Sequence, residues 1–227
     1  MSPTIEPIKT GIANELETQT FTFTLESFRI TDTRSRHEDT DYVSFTLLNV
    51  PATGTGTPQT LKKSMGNLNN GTFKVNLSFP NVVVANKVTF NYLIVNSGHS
   101  SESEIYSVLE NAGGSLATKG LTTAGAALGT LIPIPLLGTL LGAGAGWLVG
   151  ELKGLLAANC DGAVAAEQDT FTYADLISRT ANGPFTHETP NPGTNSPDGC
   201  GGNSMYYVTW QIARGTPVVL KTVAAHL

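Results

Sequence analysis

The residues best placed to do chemistry stand in three groups. Gly98-His99-Ser100-Ser101-Glu102 lies where a strand pattern gives way to a helix pattern. That context matches the nucleophile elbow, G-x-S-x-G, in which a strained strand-to-helix turn presents a serine hydroxyl to an acyl carbon. Ser100 would then be the nucleophile, His187 the base, and Asp161, Asp169 or Asp175 the acid that orients it. Two features oppose this. Glu102 stands where the closing glycine belongs, and Ser100-Ser101 already suit the cap of the helix that follows. The elbow also needs a parallel sheet, which the strand pattern does not predict.

The second group is acidic: Asp32, Glu38, Asp39 and Asp41 share one short stretch. Carboxylates gathered on a loop supply the oxygen ligands a hard cation such as Ca²⁺ prefers. Asp161 and Asp198, each followed by glycine, would join them if the fold gathered these loops at one end. Against this, Arg34, Arg36 and His37 are interleaved, and the EF-hand pattern is absent. A solvated, self-neutralising turn is the favoured reading. The third group is the pair Cys160 and Cys200, 40 positions apart, each in a Gly/Asp turn. A disulfide between them would pin a long loop to a helical segment by restricting the unfolded chain. Two cysteines are too few for a zinc site. His37, His99, His187 and His226 are scattered without metal-ligand spacing.

These groups flank one unusual stretch. Between Lys119 and Glu151 run 31 residues without a charge. Gly138, Gly142, Gly146, Gly150 and Gly154 recur at every fourth position, and Gly125 and Gly129 share that spacing upstream. Each glycine costs an isolated helix about 1 kcal/mol against alanine. The pattern is reasonable where two helix backbones approach closely. Pro133 and Pro135 break any continuous helix between the halves. The expectation is a glycine-zippered helical hairpin with arms near 118–131 and 136–158. Its uncharged arms hold 13 and 15 residues, about 20 Å each at 1.5 Å per residue. A bilayer core needs roughly 20 residues. The hairpin therefore suits a buried element, or one that inserts conditionally, better than a permanent pair of spans.

The rest of the chain reads as strands. Thr20 to Leu25 alternates Phe and Thr, and the parity then switches so that Phe28 and Ile30 follow, predicting a bulge near Glu26-Ser27. Val43, Phe45 and Leu47 alternate next, then Phe73 to Phe79, residues 82–84 and the apolar run Val88 to Val95. Ser101 and Glu104 have capping-box spacing ahead of a helix, which Gly113-Gly114 should weaken or end. Strand signals return at 163–166 and 170–173, then a short helix over 173–179. Residues 182–203, with five Gly and four Pro, read as a long loop. Ser204 to Arg214 is a strong alternating strand, and Val218 to Val223 is expected to pair beside it.

The fold class expected is α+β: an antiparallel β-sandwich with the apolar hairpin inserted at about 101–158. Residues 1–18 would be a polar arm and 19–227 one domain. Net charge is −5, and Lys62-Lys63 is the sole adjacent basic pair, so nucleic acid is excluded as a partner. The start of the chain lacks the pattern of a secretory signal, which predicts a cytoplasmic protein or a signal-independent export route. The functional expectation is a non-enzymatic protein that uses the hairpin for membrane interaction or self-assembly. The alternatives are a soluble binding module with the hairpin as ordinary core, and a serine hydrolase using Ser100. No cofactor is required, Ca²⁺ aside.

Overall fold

The computed structural model describes residues 15–35, 38–51, 53, 55–97, 100–123, 162–193 and 204–221. The strands in chain order are β1 (Glu15–Thr18), β2 (Thr20–Asp32), β3 (Asp39–Val50), β4 (Gln59–Leu68), β5 (Gly71–Val83), β6 (Lys87–Asn96), β7 (Gly162–Thr172), β8 (Phe185–Pro192), β9 (Met205–Arg214) and β10 (Val218–Lys221). Helix α1 (Glu102–Thr123) lies between β6 and β7, and α2 (Tyr173–Arg179) between β7 and β8. The result is a β-rich α+β fold in which every described strand pair is antiparallel. One sheet has the order β5-β2-β9-β8, the second β4-β3-β6-β7, and β1 pairs with β10 in a separate ribbon.

The alternating residues of the two four-stranded sheets bury one aromatic core. Phe23 from β2 meets Phe90 from β6, Phe45 from β3 meets Phe79 from β5, and Trp210 from β9 packs edge-on against Phe90 at 4.8 Å. The parity switch in β2 is a bulge between Leu25 and Ser27, which turns Phe28 and Ile30 back into this core. The second sheet is also covered on its other face. Ile105, Leu109, Ala112 and Leu116 recur at helical spacing along α1 and bury against Tyr42, Leu93, Val95, Ala163 and Ala166.

Several elements differ from expectation for identifiable reasons. Helix α1 runs through Gly113-Gly114 instead of ending there. A Cβ at Gly113 would collide with Thr46 Oγ1, and Asn91 Nδ2 donates to the Gly113 carbonyl at 2.9 Å, so that glycine permits close helix–sheet contact. Residues 185–192 of the expected loop form β8. Pro190 and Pro192 are tolerated because β8 is an edge strand, and their missing donors fall on its unpaired side. Residues 15–18 of the expected arm are β1, and β10 pairs with β1 rather than β9. Strand β4 has no counterpart among the expected strands: it is a half-exposed edge whose Lys62, Lys63, Ser64 and Gly66 hide any alternation. Edge strand β5 is capped by side chains of the other sheet. Lys63 Nζ donates to the Val75 carbonyl at 2.8 Å, and Asn49 Nδ2 to that of Val83 at 2.7 Å.

The glycines of the expected zipper (125, 129, 138, 142, 146, 150 and 154) lie outside the described residues, as do Cys160 and Cys200. Among the described residues, no helix is long and apolar enough to cross a membrane.

Candidate functional site

Two buried polar clusters tie the sheets together, and the first stands where the chain leaves β6 and re-enters β7. Asn96, the last residue of β6, lies opposite Gly162, the first of β7. The antiparallel register of these two strands therefore brings both ends of the 97–161 connection together. Asn96 accepts from the Thr40 amide at 2.9 Å, and its Nδ2 donates to Ser35 Oγ and to Asp39 Oδ1, both at 3.0 Å. Asp39 also accepts from the backbone amides of Arg34 at 2.6 Å and Ser35 at 2.7 Å, which folds the β2–β3 connection over this point. The Arg34 guanidinium rests on Gly162, where a Cβ would come within 2.8 Å of Nη2. From the other sheet, the Tyr206 hydroxyl on β9 reaches Asp39 Oδ2 at 2.6 Å and Asp41 Oδ2 at 2.9 Å. Both carboxylates are buried, alternating inward from one strand.

The second cluster centres on Glu167 of β7. Its Oε2 accepts from Thr189 Oγ1 on β8 at 2.7 Å and Trp210 Nε1 on β9 at 3.0 Å. Its Oε1 stands 3.8 Å from His187 Nε2. The Glu167 side chain is 1% exposed and that of His187 28%, so the imidazole bridges the buried carboxylate and solvent. Phe185 stacks on His187, and Trp210 tilts against it. Tyr92 faces this cluster with its hydroxyl 3.3 Å from Asn191 Nδ2. Burial first, and then the Glu167 charge, push the Tyr92 phenol well above its ordinary range. An unpaired buried carboxylate would cost several kcal/mol. Here the donors from β8 and β9 make Glu167 a cross-sheet tie.

The sequence-derived candidates separate in three dimensions. Asp39 and Asp41 come together at Tyr206, while Asp32 is exposed, and Glu38 faces outward to accept from Asn67 Nδ2 at 2.7 Å. The four acidic residues thus do not converge as a cation shell. Among the described residues, no group of three or more His, Cys, Asp or Glu is disposed to hold a metal. Ser101 caps α1: its amide donates to Glu104 Oε2 at 3.0 Å, and its hydroxyl accepts from the Glu104 amide at 3.4 Å. These bonds hold Glu104 below its usual range. Ser100 immediately precedes this cap. His187 has Glu167 as its carboxylate neighbour, whereas Asp175 closes the capping box of α2 with Thr172 and Asp169 is buried opposite Phe90. Asp161, Asp198, His37, His99 and His226 lie outside the described residues.

Four residues central to these clusters were not singled out from the sequence: Asn96, Glu167, Asn191 and Tyr206. For Asn96 and Tyr206 a signal exists: each is a polar group in an apolar or alternating strand, where burial demands a partner. Glu167 and Asn191 carry none, standing in the polar run Glu167-Gln168-Asp169 and between Pro190 and Pro192.

The described residues define a β-rich protein with two facing antiparallel sheets, tied by buried carboxylates and carrying a long connection between neighbouring strands. Compared with family models, curated proteins and solved structures, the chain gives no significant match.

Proposed function

We propose that the chain is a non-enzymatic β-sandwich whose inserted apolar segment engages a membrane or further copies of itself. The observation that supports this is the placement of the uncharged stretch. It falls wholly within the connection between β6 and β7, adjacent strands whose facing ends are held by Asn96, Asp39 and Tyr206. The aromatic core between the sheets is assembled by strands on either side of that connection. A segment with 31 uncharged residues is thereby attached to a scaffold with its own core. Such an attachment lets the segment change surroundings at modest cost to the scaffold, as in pore-forming or translocating proteins generally, an analogy of architecture alone. On this reading β1 to β10 and the inserted segment form one domain, which therefore takes in residues 15–18, and the zipped glycines mediate helix contact.

Flotation with phosphatidylcholine vesicles tests the proposal, with light scattering to follow assembly. The wild-type chain should float or assemble. The double variant Leu140→Lys/Leu141→Lys should stay monomeric and unbound with an unchanged thermal midpoint. A wild-type protein that neither floats nor assembles would leave the soluble binding module in its place.

A further inference from the structure

We propose that Asp41 is a neutral carboxylic acid in the folded protein at neutral pH, the first donor in a chain Asp41→Tyr206→Asp39 that clasps the root of the insertion and loosens as pH rises. This stands on the hydrogen-bond geometry and not on the membrane reading above. The Tyr206 hydroxyl carries one hydrogen and has two carboxylate oxygens in reach, Asp39 Oδ2 at 2.6 Å and Asp41 Oδ2 at 2.9 Å. It can donate to only one of them. Asp39 is arranged as an acceptor, with three further donors in Arg34 N, Ser35 N and Asn96 Nδ2. Asp41 is not: its Oδ1 is buried without a hydrogen-bond partner.

An ionised Asp41 would set a second buried negative charge beside Asp39, with one oxygen unsatisfied and the other competing for a hydrogen already given away. A proton on Asp41 Oδ2 removes both difficulties. It is donated to the Tyr206 oxygen, the tyrosine hydrogen goes to Asp39, and each hydrogen has its own acceptor. The leftover Oδ1 is then a carbonyl oxygen, whose desolvation costs far less than that of an anion. Burial, and next the Asp39 charge, push Asp41 well above the usual carboxylate range, with the Tyr206 bond pulling the other way. Burial and the two carboxylates keep the Tyr206 phenol protonated. Among the described residues, the charged or titratable groups facing the pair are Asp39 on β3, Tyr206 on β9 and Arg34 between β2 and β3, while β6 presents the neutral Asn96. Asp32 and Glu38 stand at the same end but are exposed.

With its folded value raised, Asp41 holds a proton in the native state that the unfolded chain has released. Its contribution is complete below the ordinary carboxylate range and is lost as pH rises toward the folded value. Opening the clasp frees the β2–β3 connection, Asn96 and, through Arg34, the return of the chain at Gly162. The test is a carboxyl ¹³C NMR titration of the wild-type chain, paired with urea midpoints of wild type and Asp41→Asn from pH 5 to 9. Asparagine supplies an N–H to Tyr206 without an ionisable proton. The Asp41 carboxyl carbon should sit at its protonated position at pH 7, and the variant's midpoint should gain on wild type as pH rises. An ionised position at pH 7, or a midpoint difference that is level with pH, overturns the proposal. The wild-type titration decides alone if the variant does not fold.

Discussion

The two faces of the sheet β4-β3-β6-β7 are built differently, though the same strands supply both. Its inner face contributes Phe45, Phe90, Tyr92 and Phe171 to a core in which rings from both sheets interlock. Its outer face divides along the axis of α1. Beneath the first half of the helix lie Tyr42, Leu93 and Val95; near Gly113 the sheet presents Thr46 and Asn91. On that same outer face Ser44 Oγ and Asn91 Oδ1 are buried without partners. Separating the inner face exposes large apolar rings at about 25 cal/mol per Å². Lifting the second half of α1 exposes fewer apolar atoms and returns unsatisfied polar atoms to water, which offsets part of the loss. From this contrast α1 is expected to be secured more firmly at its start than where it runs toward the uncharged stretch, although Leu116 and Ala117 are buried in its second half too.

Four substitutions should act differently on the two faces. Phe90→Ala removes a ring that touches Phe23, Phe45, Phe171 and Trp210, and should lower global stability by about 3–5 kcal/mol in urea unfolding. Leu109→Ala, beneath the secured half of α1, should cost about 2–3 kcal/mol. Hydrogen exchange should show that loss first at α1, with β2 and β9 little changed. A loss spread evenly over both sheets would mean the faces are not separable. Gly113→Val forces a side chain onto Thr46, and should cost about 1–3 kcal/mol beyond any gain in helix propensity. Adding Thr46→Ala should recover part of it, and an unchanged thermal midpoint for Gly113→Val alone would contradict the close approach. The smallest effect belongs to Lys62→Ala, which breaks the bridge to Glu110 on an exposed side of α1 and should change stability by no more than about 1 kcal/mol.

Much of the sheet system was legible because alternation reports a half-buried strand directly. Phe21 to Leu25, Val43 to Leu47, Phe73 to Phe79 and Tyr206 to Ile212 show it, and the parity switch at Glu26 marks the bulge. Edges were harder. Strand β4 interleaves lysines and a glycine among Leu61, Met65 and Leu68, the residues it packs on the core, and β8 carries two prolines that a central strand would refuse. The glycine pair in α1 misled because propensity argues against Gly113, while the approach of Thr46 and Asn91 argues for it. The candidate clusters were least legible. Asp39 and Asp41 look like a solvated turn beside Arg34 and Arg36, and only Tyr206, 165 positions beyond Asp41, makes them an interior pair. Glu167 likewise acquires meaning from Thr189 and Trp210, contacts that no local pattern encodes.

Native-state hydrogen exchange of the free protein, measured residue by residue in increasing sub-denaturing urea, tests the contrast between the two faces most directly. Amides 113–118 should exchange through a local opening of low free energy that depends weakly on urea. Amides 88–95 and 206–212 should share the steep urea dependence of global unfolding. If 113–118 joined the strands on that steep line, α1 would belong to the same cooperative unit as the aromatic core, and the releasable attachment would be contradicted.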